Sequence, residues 1–148
     1  MRMLSKALVG LAVMTMLAIP FSTAIPANVA AADTTIVPGP PVSFVTKYYG
    51  GATLPLKFML LDSEGNPVGD ANATVWAWWP GLPEPIPGTA SGKSNMGNMF
   101  RFLPDDMMYI YNLNTKPFPA GPGSGNVTIT IKVTEPAQLE WSTMIHFN

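Results

Sequence analysis

Side chains able to do covalent chemistry are sparse in this sequence. One histidine, His146, and no cysteine stand among nine carboxylates and eight lysines and arginines. A catalytic nucleophile needs a base within reach and a third group to orient that base. No Ser or Cys motif of that kind announces itself, and His146 falls on the polar side of an alternating stretch. Asp105 and Asp106 are neighbours. In a strand they point to opposite faces, and in a turn they are turn formers. Glycoside hydrolysis needs two carboxyl groups flanking one cleft, about 5–10 Å apart. The expectation is a chain with no catalytic residues and no cofactor.

Two groupings could hold a metal. "DSEGNPVGD" places Asp62, Glu64, Asn66 and Asp70 close in sequence, and their oxygens suit calcium. Their spacing does not match the EF-hand loop, and the same residues are those of an ordinary turn. "MGNM" sets the thioethers of Met96 and Met99 three residues apart, a soft pair suited to Cu(I). With one histidine and no cysteine, further ligands are scarce, and methionine fills cores routinely.

The aromatic residues are the stronger signal. "ATVWAWWP" carries Trp76, Trp78 and Trp79 within four positions. If Ala73, Val75, Ala77 and Trp79 face a core, then Asn72, Thr74, Trp76 and Trp78 face outward. That register leaves both polar members of the "NAT" sequon outside. It also sets Trp76 and Trp78 about 7 Å apart on one face, a spacing suited to sugar rings or to a partner's apolar patch. Tyr48 and Tyr49 could join them. The alternative is burial of the pair, by the opposite register or under the loop at 80–98. A second sequon lies at Asn126 ("NVT").

These residues sit in a chain of period-2 patterns. Strands are expected at 42–48, 54–61, 73–79, 98–103, 107–113, 126–134 and 138–147. In the second, Leu54, Leu56, Phe58 and Leu60 alternate with Pro55, Lys57, Met59 and Leu61. In the sixth, Val127, Ile129, Ile131 and Val133 share one side. Turn-rich segments separate the runs, and residues 80–98 form a Pro-, Gly- and Ser-rich connection longer than usual. About seven strands with one apolar side each predict an immunoglobulin-like antiparallel β-sandwich, with a jelly roll as the other arrangement.

Residues 1–32 read as a cleavable signal peptide: a basic start, the apolar run "ALVGLAVMTMLAI", then small residues. Cleavage is expected after Ala32, with Ala24 as the second candidate. Residues 33–41, "DTTIVPGPP", read as an extended Pro/Gly leader, and residues 42–148 as one domain. Removing the signal leaves Lys47, Lys57, Lys93, Arg101, Lys116 and Lys132 against nine carboxylates. That balance argues against nucleic acid, which requires a basic patch. No later stretch is apolar enough to span a membrane. The expected location is secreted, extracellular or in the cell envelope.

"FMLLDSEGNPVGDANATVWAW" resembles the second-to-third strand region of bacterial Ig-like repeats. "LPLKF" and "FRFLPDDMMYIYNLNTKPFPAG" are similar to the domain family named for its Pro-x-Lys-Phe motif. Pro55, Lys57, Phe58, Tyr109, Ile110, Tyr111, Asn112, Leu113, Thr115 and Lys116 carry the resemblance, which extends over residues 48–147. The 80–98 connection and the long "AGPGSGN" turn depart from the family pattern. The resemblance implies a secreted or surface Ig-like module without catalytic residues, and it supplies no ligand. The expected function is contact, as a structural, adhesive or accessory cell-surface domain with a cell-envelope protein or polysaccharide as partner. Other expectations are a carbohydrate-binding module using Trp76 and Trp78, and self-assembly in which the leader pairs across chains by strand addition.

Overall fold

The computed structural model describes residues 33–43, 47–121 and 125–148. The expected signal peptide, residues 1–32, lies outside them. The described chain is all-β and sandwich-like, with nine strands in two sheets. In chain order these are β1 (Thr35–Pro38), β2 (Lys47–Tyr48), β3 (Thr53–Leu61), β4 (Asn72–Trp78) and β5 (Ile86–Pro87). They continue with β6 (Arg101–Leu103), β7 (Met108–Asn114), β8 (Asn126–Glu135) and β9 (Leu139–Phe147). The first sheet has the order β1-β3-β7-β6 and the second β2-β9-β8-β4-β5. Every pairing is antiparallel except β2 with β9. Among the described residues no helix is long and apolar enough to cross a membrane.

Alternation explains why two layers form. Leu54, Leu56, Phe58 and Leu60 of β3 are buried, as are Tyr109, Tyr111 and Leu113 of β7. From the other sheet come Val75 and Ala77 of β4, and Val127, Ile129, Ile131 and Val133 of β8. These inward sets pack on one another between the sheets. Phe58 stacks on Tyr109 at 4.8 Å between ring centroids and meets Phe100 edge-on at 5.0 Å. Each fully buried aliphatic or aromatic side chain contributes about 1.5–3 kcal/mol relative to exposure, so the alternation sets the register.

Three elements differ from the sequence expectation. Residues 35–38, expected to be part of a leader outside the domain, form edge strand β1 against β3, with Thr35 opposite Leu61 and Pro38 opposite Phe58. Thr, Ile and Val suit a strand, and a proline at its last residue on an edge interrupts no ladder. The segment expected to pair between chains therefore pairs within its own. The expected strand at 42–48 narrows to Lys47–Tyr48, with residues 41–43 in a turn and 44–46 outside the described residues. Within the 80–98 connection, Ile86 and Pro87 add β5 to the edge of β4.

Pro55 sits inside β3 without breaking it. Its partner Asn112 accepts from the Ser91 amide at 2.7 Å and donates to Asn95 Oδ1 at 3.3 Å, so its backbone groups point away from β3. Pro55 and Asn112 thus form a non-hydrogen-bonded pair, and the missing proline N–H costs the ladder nothing.

Candidate functional site

The tryptophan strand β4 is held on both sides. β8 pairs with it along its whole length, from Asn72 opposite Glu135 to Trp78 opposite Thr128. Its other edge is filled by the 80–98 connection: the Gly88 amide donates to Val75 O at 3.0 Å, and Val75 donates to Asn98 O at 2.9 Å. Phe100 donates to Ala73 O at 2.9 Å. At Gly88 this connection passes tightly against β4, since a Cβ there would lie 2.7 Å from the Val75 side chain. Between these anchors the connection crosses to the first sheet. Ser91 donates to Asn112 O, and Asn114 donates to Thr89 O. From residue 86 onward it pairs along the edge of β4 and crosses to β7, while its start at Leu82 meets the Trp78 indole.

Two polar side chains fasten that crossing. Asn95, buried, donates through Nδ2 to Met99 O at 3.3 Å and to Ile110 O at 3.0 Å, and accepts from the Asn112 amide. The Tyr111 hydroxyl lies 2.7 Å from Gly97 O and 3.0 Å from Gly88 O, with one hydrogen to offer them. Burial pushes the Tyr111 pKa up to about 12. Tyr109, two residues earlier on the same inward side, donates to Val68 O at 2.9 Å and accepts from the Ala71 amide at 2.9 Å. Its pKa is also raised, chiefly by burial. The Tyr-Ile-Tyr spacing thus sends two hydroxyls to the two connections that flank β4. Neither has the arrangement of a catalytic group.

The three clustered tryptophans have separate surroundings. Trp79 is half-buried and packs against Phe118 at 5.5 Å. Trp76 is half-buried on the outer face; its indole N–H donates to Thr74 Oγ1 at 3.1 Å. Lys132 Nζ lies 5.7 Å from the Trp76 ring centroid and 3.4 Å from Glu140 Oε2, so a cation held by a carboxylate covers this ring. Trp78 is 38 % exposed, and its indole N–H donates to Leu82 O at 3.2 Å. The Trp79–Leu82 turn, closed by a 3.1 Å hydrogen bond, braces it. Directly across the sheet from Trp78 stand Thr128 and then Met144, which is 62 % exposed.

Tyr48 and Tyr49 do not join this surface. β2 lies at the opposite edge of the sheet, separated from β4 by β9 and β8. Tyr48 packs edge-on against Phe147 and donates to Thr53 O at 2.8 Å, while Tyr49 is exposed just beyond the strand. Asp62, Glu64 and Asn66 form a turn: Asp62 Oδ1 accepts from the amides of Glu64 and Asn66, and Oδ2 accepts from Asn66 Nδ2. The Asn66 amide first of all holds the Asp62 carboxyl below its ordinary range. Asp70 is not among these contacts, and its charge acts instead on the Tyr109 hydroxyl. Among the described residues no cluster of three or more His, Cys, Asp or Glu is placed to hold a metal. Met96 and Met99 are both exposed and border a small hollow with Phe100 and Arg101.

The remaining motif residues are framework. Pro55 and Asn112 pair across β3 and β7, and Phe58 and Leu113 are core. Lys57 lies on the outer side of β3, its carbonyl accepting from Gly39 at 2.8 Å. The buried Thr115 hydroxyl donates to Ala52 O, and the Lys116 amide donates to Asn114 Oδ1 at 3.1 Å. Sequence reasoning missed Asn95, Thr128 and Met144. The period-2 pattern marked Thr128 and Met144 as outward, but only the register between β4, β8 and β9 sets them in line with Trp78.

No family model matches the chain, and no curated protein matches it. A solved structure, the ZirS C-terminal domain, is similar at a TM-score of 0.39 and 15 % identity, over 100 % of this chain and 87 % of that one.

Proposed function

We propose that this is a secreted, non-catalytic, immunoglobulin-like module that acts by contact at the cell surface, through the outer face of its five-stranded sheet. The carrying observation is that face: a regular sheet surface bearing an open, braced Trp78 in line with exposed Met144. The strand order supports the immunoglobulin-like reading. Taking β1, β3, β4, β5, β6, β7, β8 and β9 as A, B, C, C′, D, E, F and G, the sheets run A-B-E-D and G-F-C-C′. The short parallel strand β2 beside β9 is then the continuation of A on the second sheet. A Pro-x-Lys-Phe family relationship fits the placement of Phe58, Tyr109, Tyr111 and Thr115 as framework, since residues with fastening roles tie a motif to a fold.

Secretion rests on the signal-like residues 1–32. A structural, adhesive or accessory role is the reading that the exposed face supports. The test is co-sedimentation of purified residues 33–148 with an envelope fraction of the producing cells. Wild type is expected to pellet with the envelopes and Trp78→Ala to stay in the supernatant. Equal pelleting of the two proteins contradicts the proposal. A second reading, carbohydrate binding, is favoured by the hydroxyl-bearing residues beside Trp78.

A further inference from the structure

The outer face of the five-stranded sheet is ordered in cross-strand rows. One row is Pro87, Trp76, Thr130 and Ser142; the next is Trp78, Thr128 and Met144. Neither row holds an ionisable side chain. Above them Lys132 and Glu140 neutralise each other, and below them Asn126 pairs with His146 at 2.9 Å. Opposite residues in adjacent strands lie about 5 Å apart, so Trp78 and Met144 sit roughly 10 Å from each other across Thr128.

The two outward tryptophans are not equivalent. Lys132 lies over Trp76, and displacing it would disturb both a cation–π contact and an ion pair. Trp78 has no cation or aromatic partner among the described residues. Its indole N–H is already committed to Leu82 O, so the ring is fixed before any ligand arrives. A fixed ring loses little freedom on binding. Beside it the Thr128 hydroxyl has no hydrogen-bond partner among the described residues, whereas the Thr130 and Ser142 hydroxyls meet each other at 2.8 Å. One apolar ring flanked by an unpaired hydroxyl, on uncharged ground, matches a ligand with an apolar C–H face and a hydroxylated rim.

We propose that the Trp78–Thr128–Met144 row is a binding subsite for an uncharged polysaccharide, whose sugar ring stacks on Trp78 while its chain runs across the strands towards β9. The inference rests on the reading of the module as acting through this face. It narrows the site from a tryptophan pair along one strand to a single ring and its cross-strand neighbours. Trp76 with Lys132 forms the wall of the site, not its floor. Uncharged rows make binding insensitive to salt, because no ion pair is formed that salt could screen.

Native electrophoresis through gels containing hydroxyethyl cellulose, glucomannan, arabinoxylan or glycogen tests this, with alginate as the acidic arm. Retardation is expected in at least one neutral gel, and unchanged affinity in 0.5 M sodium chloride by titration with that polysaccharide. Trp78→Ala should weaken binding at least about tenfold, Thr128→Val about threefold, and Trp76→Phe less than about twofold. Circular dichroism confirms that each variant is folded, and Thr128→Val keeps the test open should Trp78→Ala unfold. No retardation in any neutral gel, retardation in alginate alone, or wild-type binding by Trp78→Ala overturns the inference. Loss of envelope pelleting by Trp78→Ala without retardation in any gel overturns the sugar ligand and leaves contact through this face standing. Tryptophan-dependent retardation with unaltered envelope pelleting does the reverse.

Discussion

At the scale of single residues, chemical type mattered less than what surrounds each side chain. Three tryptophans within four positions serve as a core neighbour, a ring under a cation, and an open ring. Tyr111 shows the same lesson for a titratable group. Burial raises its pKa, so the hydroxyl keeps the one proton it offers to the carbonyls of Gly88 and Gly97, and its role is fastening. Tyr111→Phe should destabilise the fold by about 1–3 kcal/mol, because the carbonyls of Gly88 and Gly97 lose a donor. The pH dependence follows from the same group. Its folded pKa lies above the ordinary value of 10.0, so the stabilisation is complete below pH 10 and declines as pH rises through about 12. Urea midpoints measured from pH 8 to 12 should fall in the alkaline range for wild type and fall less steeply for Tyr111→Phe. Parallel curves would show that the hydroxyl does not fasten the crossing.

At the scale of elements, the edges of the sheets carry the features that most affect the site. The connection at 88–98 extends the edge of β7 beyond the reach of β6 and fills the free edge of β4. Asn95 makes this possible by pairing with three backbone groups, two of them on β7. Asn95→Ala is expected to cost about 1–3 kcal/mol and to speed amide hydrogen exchange at Asn112, whose N–H loses its acceptor. Exchange at Ile129, deep in β8, should change only by the global loss of stability. Equal acceleration at both positions would mean that Asn95 has no local role. The alternating apolar residues of β3, β4 and β8 were legible in the sequence because burial on one side leaves a period of two. β1, β5 and the Asn95 crossing were not, because each is short and is fixed by its partner and not by its own pattern. Thr35 opposite Leu61 and Ile86 opposite Ala77 are pairings that local composition does not announce. The same applies to the site: the outward register of Trp78 could be read from its alternation with Ala77 and Val75. The Lys132 over Trp76 and the Thr128 beside Trp78 required the alignment of β8.

At the scale of the whole molecule, the two sheets present unlike outer faces. The five-stranded sheet offers the indole of Trp78 and the hydroxyl rows. The four-stranded sheet turns out Lys57 and Met59 from β3. If the module works by contact through the first of these, an added charge should act on one face only. The decisive measurement is envelope co-sedimentation of two charge-matched variants, Met144→Arg on the five-stranded sheet and Met59→Arg on the four-stranded sheet. Loss of pelleting with Met144→Arg and retention with Met59→Arg is the expected result. Retention by both, or loss with Met59→Arg alone, would contradict a contact surface on the five-stranded sheet.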